Sequence, residues 1–443
     1  MNMIEINTEE LPWFTVIIPQ KNRAEYIGHT IRTCMMQDYP KFEIIVSDDC
    51  SDDNSVQVIK ELQKIDSRIK LFDHHHHLGM RDNFEFALNQ VKQGYVMALG
   101  GDDGLLPGCI WKMYEIFVET GKKLLTWPLA RFAYPQDSSN KNCLFVLRNH
   151  KLGYKIIQSQ SFLNKIAKTF NYMIDECPMF YIKGIASTEL INCVKSRTPD
   201  HNFYNCPTPD GFSGVILAGE VEDYVYNYES LSIGGSSIKS QGQNYYRTDN
   251  NSRKESQEFF NDNIRRTMHK DLASQPYSPL ITLMTADYLL SAKDLPGWPG
   301  KFNMFTFEDL IRKTFAFISN SMYEKDVLTR ELLILKNISA QHDIFPLFEH
   351  LLISTKIHRR KSIAIFDFAI THTLRFEGSE LGIDNIYDAS LAVNFISNIY
   401  KKYTISKLLK GFYNTIRIVF RSKIYTLNNL PSINDINPKS KNN

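Results

Sequence analysis

Two adjacent carboxylates follow an apolar run in the first quarter of the chain. The run and its continuation read Tyr95-Val-Met-Ala-Leu-Gly-Gly-Asp-Asp-Gly-Leu-Leu-Pro-Gly108. The apolar residues predict a buried strand, the glycine-rich segment predicts a turn, and Pro107 suits the first turn of the next helix. Asp102 and Asp103 would then lie at the carboxyl end of an inner strand, where open α/β sheets bind ligands.

This pair of carboxylates has a definite chemistry. Two like charges so close together repel each other, so the pair is stable beside a cation. Hard oxygen ligands favour Mg²⁺ or Mn²⁺, and these ions in turn bind phosphate oxygens. The alternative is an acidic turn that only caps a helix N-terminus. The sequence before the turn favours the ligand-binding interpretation.

Strands and helices alternate before the acidic turn. Strands are predicted at residues 14–18, 42–46, 69–72 and 95–99, and helices at residues 23–37, 56–65 and 84–91. The alternation predicts an α/β fold with a mostly parallel central sheet and right-handed crossovers. The first strand is followed neither by the Gly-x-Gly-x-x-Gly pattern of dinucleotide-binding folds nor by a P-loop.

Composition limits the class of protein. The 443 residues suggest two or three domains, and 43% hydrophobic and 12% aromatic content is typical of a globular chain. A net charge of +2 argues against a nucleic-acid partner. Seven cysteines, an odd count without a Cys-x-x-Cys pair, suggest a reducing cytoplasmic location. We expect neither a signal peptide nor a membrane span, because no apolar window approaches about 18 residues.

Four segments in residues 13 to about 130 resemble family 2 glycosyltransferases, in the order and spacing of that family. They are Val16-Ile-Ile-Pro-Gln-Lys-Asn-Arg23, Gln37-Asp-Tyr-Pro-Lys-Phe-Glu-Ile-Ile-Val-Ser-Asp-Asp-Cys-Ser-Asp-Asp53, Gly79 with Asn83, and Gly101-Asp-Asp-Gly-Leu-Leu-Pro107. The resemblance implies a GT-A fold and an inverting transfer of a sugar from a nucleotide diphosphate donor. The pattern around Asp48 favours a uridine donor.

The resemblance also implies roles for individual residues. Asp48 would accept a hydrogen bond from the pyrimidine N3–H, and Arg81 would contact the base or the diphosphate. Asp103 would be the main ligand of Mn²⁺ or Mg²⁺, and Asp102 would bind ribose or the metal. The other residues assigned to the donor are Pro19, Lys21, Asn22, Arg23 and Asp49.

Two departures from the family pattern concern the metal site. Gly100 replaces the first Asp of Asp-x-Asp-Asp, and no histidine lies between His201 and His269, where the family often supplies a further ligand. The third protein ligand is therefore left open.

The acceptor half is expected at residues 131–250. Asp210 follows an extended Pro-Thr-Pro segment and begins an apolar helix, whose N-terminus stabilises a negative charge. The family has its general base at a matching place, so Asp210 is the candidate that takes the acceptor proton. An ordinary N-cap is the alternative, and Glu222 and Asp223 are poorer candidates because they lie beyond the helix.

Two further segments have competing interpretations. Residues 231–242, after an expected edge strand at 224–228, form either a flexible lid that brings Lys239 to the diphosphate or a plain Gly/Ser loop. Residues 74–77 are four histidines, which we interpret as an exposed strand end because alternate side chains of a strand cannot share one ion.

Residues 251–425 are expected to form an α-helical C-terminal domain. Helical periodicity occurs at residues 282–290, 305–317, 327–338, 344–353 and 363–374, and residues 296–300 suggest a boundary or hinge. Residues 400–425 predict a basic amphipathic helix, suited to an anionic membrane surface or to packing with a solvated basic face. Residues 426–443 are a polar tail that we expect to be disordered.

The functional hypothesis is a single in-line displacement at the anomeric carbon of a nucleotide sugar, in which Asp210 takes the proton of the attacking acceptor hydroxyl. No covalent intermediate is needed, so the configuration inverts. The acceptor would be a glycan or lipid-linked glycan of a bacterial surface polysaccharide, which suits peripheral association with the inner membrane face. The alternatives are a nucleotidyltransferase-like enzyme and a non-catalytic nucleotide-binding module.

Overall fold

A computed structural model describes residues 8–135, 142–147, 151–240, 259–260, 263, 266–319, 325–356 and 373–402. Contacts divide the chain into residues 1–394 and 395–443. Within the second unit only the end of a helix is described, so the predicted basic helix beyond residue 402 and the tail at 426–443 lie outside the described residues. The following description concerns the first unit.

Thirteen strands lie in the described residues. They are β1 (Phe14–Gln20), β2 (Phe42–Asp48), β3 (Ile69–Asp73), β4 (Tyr95–Ala98), β5 (Gly104–Leu105), β6 (Leu124–Thr126), β7 (Ala130–Ala133), β8 (Cys143–Leu147), β9 (Tyr154–Gln158), β10 (Gly184–Ser187), β11 (Asp223–Asn227), β12 (Ser232–Ser236) and β13 (Thr373–Glu377).

Twelve α-helices accompany these strands in the described part of the chain. They are α1 (Ile27–Met35), α2 (Ser55–Gln63), α3 (Met80–Asn89), α4 (Cys109–Thr120), α5 (Ser159–Thr169), α6 (Thr188–Arg197), α7 (Pro209–Glu220), α8 (Ile281–Lys293), α9 (Phe307–Ser319), α10 (Lys325–Gln341), α11 (Phe345–Ser354) and α12 (Ile386–Lys402).

The larger sheet has the strand order β3-β2-β1-β4-β10-β6-β11-β9. Four of its seven pairings are parallel, which confirms the predicted α/β class with a mostly parallel sheet. The apolar, β-branched run of β1 is buried along its whole length, because β1 lies between β2 and β4. The parallel register places Gln20 opposite Asp48 and Asp48 opposite Asp73, so polar residues gather at the carboxyl edge.

A second sheet has the order β13-β8-β7-β12-β5 and corrects several expectations. Residues 232–236 are a strand rather than a loop, and β11 lies between β6 and β9 rather than at an edge. The predicted helix at 363–374 lies mostly outside the described residues, and its last two positions begin β13. Pro107 precedes α4, whose N-cap is Gly108 in the left-handed region at φ 71°.

Two hydrophobic cores cover the two faces of the larger sheet. One packs α1, α2 and α4 against it, and the other packs α3, α5, α6 and α7. Helix α8 contributes Tyr288 and Leu289 to the second core, and Leu283 and Leu290 to a third core formed by α8–α11. Helix α8 therefore joins the C-terminal helices to the sheet, and four of the five predicted C-terminal helices are present. The domain boundary near residue 250 stays a prediction.

The segment expected to be a boundary or hinge is anchored on α6 and α7. The Trp298 indole N–H donates to the carbonyl of Ile216 at 3.1 Å, and its ring lies where a side chain on Gly219 would project. Arg197 donates to the carbonyl of Gly297 at 2.6 Å while its other nitrogens bind Glu220.

The contact between Gly219 and Trp298 yields a stability prediction. Gly219→Ala should destabilise the protein by about 1–3 kcal/mol, because overpacking outweighs the roughly 1 kcal/mol that alanine gains over glycine in a helix. Urea unfolding of the wild type and the variant measures the difference. Combining Gly219→Ala with Trp298→Leu should cost less than the sum of the single changes, since the smaller side chain makes room. An increase in stability for Gly219→Ala alone would contradict the packing argument.

Candidate active site

Asp48 lies at the end of β2 and is fully buried. Its Oδ1 accepts from the Ser51 backbone N–H at 2.8 Å, and its Oδ2 accepts from the Ser51 hydroxyl at 2.7 Å and from the Gln20 amide. Burial raises the pKa of Asp48, and the hydrogen bonds from Ser51 oppose that shift. The carboxyl group is thus rigidly oriented at the carboxyl edge of the sheet.

Asp49 organises the loop after β3. It accepts from the backbone N–H groups of Leu78 and Gly79 at 2.6 and 3.1 Å, and it pairs with His77 at 2.8 Å. The Lys21 ammonium lies 3.4 Å from the same imidazole. Lys21 and Asp49 are therefore close together, as their assignment to one donor site requires.

The four histidines do not behave alike. His74 contacts the Ser47 hydroxyl at 2.9 Å and packs edge-on against Phe86, whereas His75 and His76 are exposed. His77 turns towards Asp49. All four histidines follow the end of β3 at Asp73, and His77 is exposed as well, so the expected exposure fails only for His74. No group of three or more potential metal-ligating side chains occurs in the described part of the chain.

Pro19 lies within β1, one residue before its end, and the loop after β1 continues the edge with Asn22 and Arg23. Asn22 adopts a left-handed φ of 55° and its side chain accepts from the backbone N–H of Asp52 at 2.9 Å. The Arg23 guanidinium donates to the carbonyl of Lys239 at 2.6 Å. This bond brings residue 239 beside the loop, through its backbone.

Asp103 is buried beneath the acidic turn. Its Oδ2 accepts from the Gly100 N–H at 2.9 Å, and its Oδ1 accepts from the Gly235 N–H at 2.8 Å. The Tyr181 hydroxyl lies beside the same carboxyl group, next to Gly100. Burial, and after it the charge of Asp102, raise the pKa of Asp103 to about 8. Its oxygens are committed to the backbone of β12 and of the turn itself.

Asp102 has different partners. Its Oδ2 accepts from the hydroxyls of Ser237 and Ser240 at 2.6 and 3.0 Å, while its backbone carbonyl accepts from the Tyr134 hydroxyl at 3.1 Å. Both serines follow β12. Because Asp103 is tied by backbone amides, this geometry favours Asp102 over Asp103 as the group that meets a cation, and the sequence-based choice of Asp103 stays a prediction.

Asp210 lies in the first turn of α7, as expected. Burial raises the pKa of Asp210, while hydrogen bonds from the Gly211 N–H and the Thr208 hydroxyl oppose the shift. Its Oδ1 is buried and has no hydrogen-bond partner among the described residues. A carboxyl oxygen with an unused lone pair in an apolar environment is well suited to accept a proton.

Tyr181 connects the predicted base with the acidic turn. Burial raises the pKa of Tyr181 well above its ordinary value, and the charges of Asp103, Asp102 and Asp210 add to the shift in that order. The adjacent Asp102 and Asp103, and Asp210 more than 100 residues later in the sequence, therefore act on one phenol group.

Arg81 is committed to neighbouring protein groups. Its Nε donates to the carbonyl of Tyr204, and its guanidinium pairs with Asp82 at 2.8 Å and with Asp200 at 3.7 Å. These contacts fix the residues before α7 against α3. They do not bring Arg81 to the acidic turn, and its role in donor binding stays a prediction.

The carboxyl ends of β1 and β2 and the acidic turn form one continuous surface. A side chain on Gly101 would lie 2.9 Å from Cγ of Arg23 and 3.3 Å from Cβ of Gln20. Gln20 in turn donates to Asp48. The ends of β1, β2 and β4 are therefore in direct contact.

Sequence reasoning missed Gln20, Tyr181, Ser237 and Ser240. Gln20 could have been found, because parallel pairing of two strands that end together places residue 20 opposite residue 48. The other three reach the aspartates through pairings and turns that no local pattern encodes.

The donor set around the acidic turn fits a hard divalent cation. Asp102 offers carboxylate oxygen, and the hydroxyls of Ser237 and Ser240 lie beside it. Mg²⁺ is commonly held by one or two carboxylates together with substrate phosphates and water, so this small set of oxygen ligands is sufficient. The chain itself supplies few charges to the ion, and a diphosphate would complete the shell.

The family model described as glycosyl transferase family 2 matches residues 15–165. This segment includes the end of β1, Asp48 and the acidic turn. The match covers about a third of the chain. The resemblance seen in the sequence motifs is thereby confirmed, and the α/β sheet with its flanking helices agrees with the GT-A type of fold expected for it.

Similar proteins match parts of this chain. The GalNAc(5)-diNAcBac-PP-undecaprenol beta-1,3-glucosyltransferase of Campylobacter jejuni is 38% identical over 101 residues, which are 23% of this chain and 33% of that protein. The poly(ribitol-phosphate) beta-N-acetylglucosaminyltransferase TarS of Staphylococcus aureus is 30% identical over 93 residues, 20% of this chain and 16% of that protein.

The fold also aligns with a crystal structure of S. aureus TarS residues 1–349 in complex with UDP-GlcNAc. The alignment covers 77% of this chain and 91% of the TarS chain, at 15% identity and a TM-score of 0.41. The chain spans about half or less of the length of the curated relatives it matches. Among the described residues, no helix is both long and apolar enough to cross a bilayer.

Two neighbouring glycines test how β12 supports the acidic turn. A side chain on Gly235 would overlap the carbonyl of Asp102, whereas one on Gly234 would meet nothing closer than 3.8 Å. Gly235→Ala should lower stability by about 1–3 kcal/mol and weaken UDP binding, because the turn must shift. Gly234→Ala should leave UDP affinity within about twofold, and thermal unfolding with UDP titration compares the two. Equal behaviour of the variants would contradict the proposed support.

Proposed function

We propose that this chain is an inverting glycosyltransferase that transfers a sugar from a nucleotide diphosphate donor, a UDP-sugar, to a hydroxyl of a glycan or lipid-linked glycan. One observation carries the proposal. Gly100 and Gly101 of the acidic turn adjoin the Tyr181 hydroxyl and Gln20, and Gln20 donates to Asp48. The Ser213 hydroxyl accepts from the Phe180 N–H and donates to the carbonyl of Asp210, which places the start of α7 beside the segment that carries Tyr181. Residues 15–165 of this chain match the family.

The nucleoside is proposed to lie at the ends of β1 and β2. Asp48 is oriented by Ser51 and Gln20, and a fixed carboxylate is a good acceptor for the N3–H of uracil. Lys21, Asn22 and Arg23 border the same edge, and Asp49 holds the facing loop. These contacts support a pre-formed base and ribose site.

Asp102, with Ser237 and Ser240 beside it, is proposed to hold Mn²⁺ or Mg²⁺. Such an ion neutralises charge on a departing nucleoside diphosphate. Asp103 keeps the turn in place through the N–H groups of Gly100 and Gly235. Lys239 lies beside the turn and is proposed to add positive charge near the phosphates.

Asp210 is proposed as the general base. The acceptor oxygen attacks the anomeric carbon, its proton passes to the Asp210 carboxylate, and the bond to the nucleoside diphosphate breaks on the opposite side. The displacement in one step inverts the configuration. The buried Oδ1 without a hydrogen-bond partner supports this role, because a proton received there satisfies a group that burial otherwise penalises.

A lipid-linked glycan is the proposed acceptor class. The C. jejuni relative is named for a polyprenyl-diphosphate-linked substrate, and TarS for a poly(ribitol-phosphate) polymer. We further propose that the protein acts at the inner membrane face, because such an acceptor is anchored there and because residues 400–425 are basic.

Transfer assays test the proposal directly. With Mn²⁺ and individual nucleotide sugars, the wild type should release nucleoside diphosphate and form a glycoside in the presence of a suitable acceptor. Asp210→Asn should lower kcat by about 10²–10⁴-fold, as expected when a general base is lost. Asp223→Asn, a change of the poorer candidate on β11, is the control and should retain activity. Full transfer by Asp210→Asn would refute the assignment of the base.

The rate should also depend on pH through Asp210. A base works only as the carboxylate, and burial raises the pKa of Asp210. The rate should therefore fall as the pH drops through a value above about 3.9, the ordinary pKa of aspartate. Profiles of kcat between about pH 4 and 9 at saturating donor and Mn²⁺ measure this limb. A rate that stays constant down to about pH 4 would contradict the shift.

A further inference from the structure

The space into which a side chain at position 100 would project is filled by the Tyr181 hydroxyl and the Asp103 carboxyl group. A Cβ on Gly100 would lie 2.5 Å from the Tyr181 hydroxyl and 2.6 Å from Oδ2 of Asp103. Contacts this short do not occur with a real Cβ, so a larger residue at position 100 requires Tyr181 or Asp103 to move. The family pattern has an aspartate at this position, and this chain has a phenol hydroxyl in the adjoining space.

The backbone around Tyr181 is held in an unusual conformation. Ile182, a β-branched residue, has a left-handed φ of 61°, which such residues rarely adopt. Its N–H donates to the carbonyl of Ala98 in β4 at 2.8 Å, and its carbonyl accepts from the Ser232 hydroxyl at 2.6 Å. Backbone strain of this kind persists only where surrounding contacts enforce it, and it is concentrated at functional sites.

The backbone conformation of Ile182 places Tyr181 beside the acidic turn. Ala98 is the last residue of β4, two positions before Gly100, and Ser232 begins β12, which carries Gly235. Ile182 is therefore bound to both strands that hold Asp103 in place. The Tyr181 hydroxyl and Oδ2 of Asp103 then share the space beside Gly100, where the hydroxyl can donate to the carboxyl group.

We propose that Tyr181 replaces the acidic side chain missing at position 100, and that its neutral hydroxyl positions Asp103 and the acidic turn for the donor. The inference rests on the proposed donor site. Tyr181 is a positioning residue that acts through Asp103. The exchange of a carboxylate for a neutral hydroxyl leaves one negative charge fewer beside the diphosphate, so UDP binding depends less on a divalent cation than it would with aspartate at position 100.

UDP titration calorimetry, in EDTA and in Mn²⁺, tests the inference. Tyr181→Phe should weaken UDP binding about tenfold or more under both conditions, since a hydrogen bond to a carboxyl group that orients the turn is lost. Gly100→Asp combined with Tyr181→Ala restores an acidic residue with space for it. This double variant should bind UDP more weakly than the wild type in EDTA and raise the ratio of the two dissociation constants about tenfold.

Tyr224→Phe is the matched control. The Tyr224 hydroxyl is also buried and donates to the carbonyl of Glu176 at 2.8 Å, in a part of the sheet away from the acidic turn. This control should lose thermal stability and keep its UDP affinity. If Tyr181→Phe behaves in the same way, with UDP affinity within about twofold of wild type under both conditions, the positioning role is overturned.

A separate measurement distinguishes failure of this inference from failure of the proposed function. A wild type that binds no nucleoside diphosphate would refute the donor site. Whether Tyr181 fills the space beside position 100 is then tested without ligand, by thermal unfolding of Gly100→Ala, Tyr181→Phe and their combination. Combined effects smaller than the sum support the replacement, and additive effects overturn it.

Discussion

The site depends on one buried carboxyl group, that of Asp103. Burial of a carboxylate in a protein interior is unfavourable unless hydrogen bonds compensate for the lost hydration. Here the compensating donors come from two separate parts of the fold, the Gly100 N–H after β4 and the Gly235 N–H in β12. The requirement to satisfy this group therefore ties the larger sheet to the second sheet where the acidic turn leaves β4. A divalent cation near Asp102 would favour the ionised form of Asp103 further.

This junction explains how Asp102 acquires its surroundings. β12 pairs with β5 directly after the acidic turn, so the chain that leaves β12 passes over Asp102 and places Ser237 and Ser240 on its carboxylate. Close approach is possible because Gly235 has no side chain to meet the carbonyl of Asp102. The Gly/Ser composition of residues 231–240 thus serves strand packing against the turn.

Local patterns predicted the first four strands, their parallel order and the position of Asp48, because these features depend on apolar runs and on the ends of neighbouring strands. The same reasoning failed for β12, since Gly-Gly-Ser reads as a loop and its pairing with β5 and β7 joins residues about 100 positions apart. It also failed for Tyr181. Tyr181 reaches the acidic turn only because Ile182 adopts a left-handed conformation, and no residue in that segment is of a type that predicts such a conformation.

Three aspartates around one tyrosine show how environment separates the roles of identical side chains. Asp103 has its oxygens bound by backbone amides and is suited to hold the turn. Asp102 accepts from hydroxyls, which can rearrange around an incoming ion more easily than backbone amides can. Asp210 keeps a buried oxygen without a hydrogen bond, which favours proton uptake. The charges of all three add to burial in raising the pKa of Tyr181, so its hydroxyl stays protonated beside the acidic turn.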